Sequence, residues 1–185
     1  MVSSHRAFRG IGIAGWAVAG LLAAAVASRA EGFSLESVGV RGGFQADHQH
    51  RDFGQLEGFG NLNLPWGWNL GREWHMQSRL GLSAGWLGMR GADAFVGTLG
   101  PSLIVGRARL PLSFEGGVSP TFIGHERFGL EDFGMKLQFT SYLGLNWDLA
   151  AHWRVGYRLQ HMSNGGLATP NPGLNMHILA LSYRF

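Results

Sequence analysis

The sequence predicts an all-β fold, an eight-stranded antiparallel transmembrane β-barrel, on three observations. Apolar and polar residues alternate with period two through most of the chain after residue 33, the pattern of strands with one face in each of two environments. Thirty glycines, seven tryptophans and twelve phenylalanines among 185 residues suit short, bending strands with aromatic belts better than a helical bundle. Beyond the N-terminal region, no stretch is long and apolar enough for a membrane-spanning helix.

Residues 1–30 read as a signal peptide. Arg6 and Arg9 precede an apolar run from Ile11 to Val26, and small residues follow, so cleavage is expected after Ala27 or Ala30 and the barrel domain over residues 31–185. Removing this segment takes away Arg6, Arg9 and Arg29 from 15 basic residues, leaving 12 against 12 acidic ones. The mature chain is formally neutral, so the basic isoelectric point of the full sequence belongs mostly to the targeting segment and implies no nucleic-acid partner. There are no cysteines, and a closed hydrogen-bonded barrel supplies what disulfides otherwise would in an exported chain.

The first strand is expected over Phe33 to Phe44. From Phe53 to Leu64, Leu56, Leu62 and Leu64 share a face opposite Gln55, Glu57, Asn61 and Asn63. Trp74 to Trp86 sets Trp74, Met76, Leu80, Leu82 and Trp86 against His75, Gln77, Arg79 and Ser83. Phe95 to Val105 aligns Phe95, Leu99, Leu103 and Val105, with a mixed opposite face. Leu112 to Phe122 opposes Phe114, Val118 and Phe122 to Glu115, Ser119 and Thr121, and Lys136 to Trp147 opposes Phe139, Leu143 and Leu145 to Lys136, Gln138 and Thr140. The seventh strand puts Trp153, Val155, Tyr157 and Leu159 opposite Arg154, Arg158 and Gln160; the eighth carries His177, Leu179, Leu181, Tyr183 and Phe185 on one face.

Compact turns are expected at Pro65-Trp-Gly-Trp-Asn, Gly106-Arg-Ala-Arg and Asn146-Trp-Asp-Leu, and polar loops at Gln45 to Asp52, Gly124 to Asp132 and Ser163 to Gly173. Short turns at one rim and longer loops at the other fit an outer-membrane barrel with both termini in the periplasm. A lipocalin-like soluble barrel would show the same alternation with its apolar face inward. The charges on the polar face, with mixed signs, can sit inside a narrow barrel if paired, and the terminal Phe185 resembles the signal read by outer-membrane assembly machinery.

Chemistry concentrates where the seventh strand ends. His161 and Ser163 are two apart, so they project to one face of a strand, a base beside a nucleophile. Both continue the apolar parity, as does Asn175 on the next strand, so the three form an outward-facing patch at the rim. Between them Asn164-Gly-Gly and Pro170-Asn-Pro-Gly make a kinked loop whose N–H groups and amides can converge on an oxyanion; Asn171 and the Gly166 N–H are the donors expected, with Asn164 in reserve. Asp47-His48-Gln-His50 has a metal-like look but reads as a polar loop, and neither metal nor cofactor is expected.

His161-Met-Ser163-Asn164-Gly165-Gly166 with Pro170-Asn171-Pro172-Gly173 resembles the H-x-S-N-[AG]-G…P-N-x-G signature of the lipid A 3-O-deacylases, the PagL-like outer-membrane enzymes. The specific match covers about the last thirty residues. The resemblance implies a serine esterase that removes the 3-O-linked acyl chain of lipid A as a 3-hydroxy fatty acid, with lipopolysaccharide as substrate and the site toward the outer leaflet; it leaves a homodimer open. One position departs from the family: the acid expected twelve residues after the serine is Asn175, and Glu131 or Asp132 in the third loop are candidate substitutes to orient His161. Arg51, Arg90 and Arg127 lie where lipid A phosphates would pass. The alternatives are a non-catalytic barrel with a structural or adhesion role, or a secreted carrier of small ligands.

Overall fold

A computed structural model of the chain describes residues 32–47 and 52–185. The expected signal peptide, and His48, His50 and Arg51 of the first loop, lie outside the described residues. Eight strands close a barrel: β1 (Ser34–Gln45), β2 (Gly54–Gly71), β3 (Trp74–Met89), β4 (Ala92–Arg107), β5 (Leu112–Ile123), β8 (Leu137–Asp148), β9 (Trp153–Ser163) and β10 (Leu174–Arg184). Each pairs antiparallel with its chain neighbour, and β1 pairs with β10 to complete the ring. The two short strands β6 (Arg127–Phe128) and β7 (Glu131–Asp132) make a separate hairpin in the connection from β5 to β8.

The apolar parity faces outward. Leu143 is 77% exposed and Phe114 60%, whereas Glu57 is 1% and Arg79 5% exposed within the barrel. That is the reverse of a soluble barrel, whose bulky apolar residues would fill the core. Glu36, Glu57, Arg79 and Arg154 are buried and each has an ion-pair partner, as a low-dielectric interior requires. Glu36 Oε1 receives Arg79 at 2.8 Å and Arg154 at 2.9 Å, and Arg154 also reaches Asp148 at 2.6 Å. Glu115 accepts from Tyr142 at 3.0 Å and Asn146 at 2.9 Å.

Toward the rim bearing the longer loops the interior turns apolar. Leu87, Val96, Ile123, Met162, Leu174, Met176 and Ile178 face inward there, and Phe53 and Phe133 join Phe128 of the β6–β7 hairpin over the mouth. The three rings meet edge to face at 5.4 and 5.8 Å. This plug explains the mixed inner face of β4, and it backs the rim on which His161 sits.

The turn expected at Pro65 is instead part of β2, which runs on to Gly71 and reverses at Arg72-Glu73, both with positive φ. Pro65 lies in a bulge: Asn63 faces Arg79, and the next pair is Gly67 with Gln77. Side chains of β3 satisfy the carbonyls freed by it, Gln77 Nε2 reaching Leu64 O at 2.6 Å and Ser78 Oγ reaching Trp66 O at 2.6 Å.

Candidate active site

Register brings the site together. His161 stands opposite Asn175 on β10 and opposite Ser141 on β8. His161 Nδ1 and Asn175 Oδ1 are 2.8 Å apart, a hydrogen bond on the barrel's outer face. Ser163 follows two residues later on the same face as the last residue of β9, half-buried and opposite Phe139. Among the described residues the hydrogen bond of His161 is the one to Asn175, so Ser163 is its neighbour on the strand face and not its hydrogen-bonded partner.

The loop over residues 164–173 is organised around Asn164, whose side chain is buried. Its Nδ2 contacts three carbonyls, those of Phe133 (3.0 Å), Ala168 (2.9 Å) and Pro170 (3.1 Å). Its Oδ1 accepts the Gly166 N–H at 2.9 Å, and its own N–H donates to Asn171 Oδ1 at 3.1 Å. Asn164 is therefore a loop clamp with its donors spent, not a reserve oxyanion donor. The Gly166 N–H is engaged as well. Asn171 is exposed, and because its oxygen is the atom that accepts from Asn164, its NH₂ is the amide group turned elsewhere.

Two residues of the site escaped the sequence reading. Gly173 has φ +67°, and a Cβ built there would lie 3.0 Å from His161 Cε1, so glycine leaves room for the imidazole. The Pro170-Asn-Pro-Gly motif contained it, without saying what it touched. The other is Asp47, whose Oδ2 lies 3.4 Å from Asn175 Nδ2. Of the two acids that were candidate substitutes, Asp132 is taken by Arg127 at 2.8 Å and by the Gly134 N–H at 2.8 Å. The Gly134 N–H is the main reason the Asp132 carboxyl lies below its ordinary range, with Arg127 adding to it. Glu131 lies opposite Phe128 in the same hairpin. Among the basic residues considered for phosphates, Arg127 is held by Asp132 and Arg90 sits on the β3–β4 turn.

From His161 a groove of about 720 Å³ runs across the outer surface, lined by Leu159, Ser141, Leu143, Gly116 and Val118. Ser141 and Gly116 occupy outward positions where their strand neighbours carry leucine, valine or phenylalanine, and this lack of bulk makes the groove.

An outward-apolar eight-stranded barrel with a histidine–amide pair at its rim, opening onto an apolar groove, defines a class of outer-membrane-type barrel with a polar site on its outer face. Within that class, the family model described as "Lipid A 3-O-deacylase (PagL)" matches residues 57–184, and the chain belongs to this family. Lipid A deacylase PagL of Bordetella bronchiseptica is 35% identical over 71 residues, which are 38% of this chain and 40% of that relative. The chain thus spans less than half the length of that relative in the match. The crystal structure of the outer membrane enzyme PagL aligns with TM-score 0.68 at 19% identity, covering 79% of this chain and 97% of that one, a likeness of fold.

Proposed function

We propose that this chain is an outer-membrane serine esterase that hydrolyses the 3-O-linked acyl chain of lipid A at the outer leaflet. The observation that carries the reading is the His161–Asn175 pair on the outward face, at the head of an apolar groove. An ester at that rim would have its carbonyl near Ser163 and its hydrocarbon in the groove, without leaving the lipid phase. The rim with the longer loops then lies outside the cell and the short turns in the periplasm.

In this reading Ser163 Oγ attacks the ester carbonyl and His161 Nε2 takes the hydroxyl proton. The oxyanion draws on the Asn171 NH₂, and on the Gly166 N–H only as a bond shared with Asn164. Collapse of the tetrahedral species breaks the bond to the sugar oxygen, which receives the proton from His161. Water then repeats the sequence on the acyl-serine and frees the fatty acid.

Mass spectrometry of lipid A from cells expressing the protein tests this directly. The wild type should yield lipid A short of one 3-hydroxyacyl chain, and Ser163→Ala and His161→Ala should each cut that conversion by at least about a thousandfold, with the double variant no worse than either. Unaltered lipid A from a correctly folded wild type would favour the non-catalytic barrel, and full activity in Ser163→Ala would remove the serine mechanism.

A further inference from the structure

We propose that Asp47 is a positioning residue of this site, which acts through the Asn175 carboxamide to set the tautomer of His161. The inference rests on the reading of His161 and Ser163 as base and nucleophile. It answers how a site with an amide in the third position can keep its histidine competent.

The backbone places Asp47. Gln45 is the last residue of β1 and faces Met176, and the next N–H, that of Ala46, donates to Asn175 O at 2.8 Å. The chain beyond β1 therefore stays docked along the start of β10, and Asp47 falls beside the Asn175 side chain. Gln45 Nε2 donates to Asp47 Oδ1, which turns Oδ2 toward Asn175 Nδ2 at 3.4 Å. At that length the contact acts as a charge orienting an amide dipole more than as a strong hydrogen bond.

Orientation is what the site needs. An ionised carboxylate accepts hydrogen bonds and cannot donate, so the face of the amide turned to Asp47 must be its NH₂. The amide oxygen is then the atom presented to His161 Nδ1, at 2.8 Å. An oxygen there demands a proton on Nδ1, and a neutral imidazole with Nδ1–H has its lone pair on Nε2, free to take the proton of Ser163. With the amide reversed, an NH₂ would face Nδ1, the ring proton would move to Nε2, and the base would be blocked. In serine proteases the wrong histidine tautomer is the main cost of replacing the triad acid by its amide. Asp47 removes that failure here, and sets a negative charge one side chain behind the imidazolium of the transition state.

A charge swap in the full-length protein, assayed on lipid A in detergent micelles, tests the proposal. Asp47→Asn lets the residue donate as well as accept, so it no longer dictates the amide; kcat should fall about 10- to 100-fold with KM little changed. Asn175→Asp alone sets two carboxylates face to face and should bring no gain. Asp47→Asn with Asn175→Asp puts the carboxylate directly on His161 Nδ1–H with an amide behind it, and kcat should return to the wild-type level or above. Nitrogen chemical shifts of His161 should report the Nδ1–H form in wild type and a shift toward the Nε2–H form in Asp47→Asn, whether or not the sample turns over. If Asp47→Asn retains wild-type kcat and tautomer, or the double variant is no better than Asp47→Asn, the proposal fails, and an inactive Ser163→Ala in the same assay shows that the esterase reading survives. An active Ser163→Ala overturns the esterase reading itself.

Discussion

At position 173 a single methyl group would press on the imidazole. Its Cβ would sit 3.0 Å from His161 Cε1, on a backbone whose φ of +67° already disfavours a side chain by roughly 1–2 kcal/mol. Gly173→Ala should therefore cost catalysis as well as stability, because the ring that must give way is the one bonded to Asn175. We expect a fall in kcat of a few-fold to about tenfold, since the ring must give by a few tenths of an ångström. Unchanged kcat in a folded Gly173→Ala barrel would show that the ring has slack. At the same scale, the shared face of His161 and Asn175 was legible from parity, whereas the role of Asn164 was not. A Ser-Asn-Gly-Gly string offers Asn164 as one polar loop residue among several, and only the convergence of three carbonyls on its Nδ2 reveals a clamp.

At the scale of elements, the groove is a property of two strands together. Gly116 on β5 and Ser141 on β8 each leave a gap in an apolar face, and the closed sheet aligns the gaps beside Leu159 and His161. Ser141→Leu would fill the head of the groove with a side chain suited to lipid, so the barrel should fold as well as before. Activity toward long-chain esters should fall about tenfold or more in kcat/KM, the usual scale for methylene-sized steric exclusion. Short-chain esters should be less affected, and an equal loss on both would point to damage at His161 instead. The β2–β3 hairpin teaches a related lesson. Proline, two tryptophans and a glycine in five residues read as a turn, yet β3 contributes Gln77 and Ser78 to satisfy a bulge, and the strand continues.

For the whole molecule, the interior divides into an ionic half and an apolar half. Glu36 is the hub of the first, holding Arg79, Arg154 and Arg184 within 3.2 Å. Glu36→Ala should leave buried guanidinium groups without their carboxylate, a change that typically costs about 3–5 kcal/mol. The shift from folded to unfolded mobility on heating in detergent gels should then come at a lower temperature. Activity per folded molecule should stay near wild type, because the site lies at the other end, behind the apolar plug. A variant as heat-resistant as wild type would mean that the arginines find other partners.

Period-two alternation is local, so the sequence by itself determined the all-β class, the two faces of most strands and the shared orientation of His161, Ser163 and Asn175. Those features follow from how successive Cβ atoms point along any extended chain. Closure and register are non-local, and they decided the rest. Joining β1 to β10 brought Asp47 to Asn175 across 128 residues of sequence, so the carboxylate behind the histidine is one that no spacing rule near the serine could name. The same closure folded Phe128 and Phe133 over the mouth, because apolar residues in a loop can find a core only once the barrel exists to receive them.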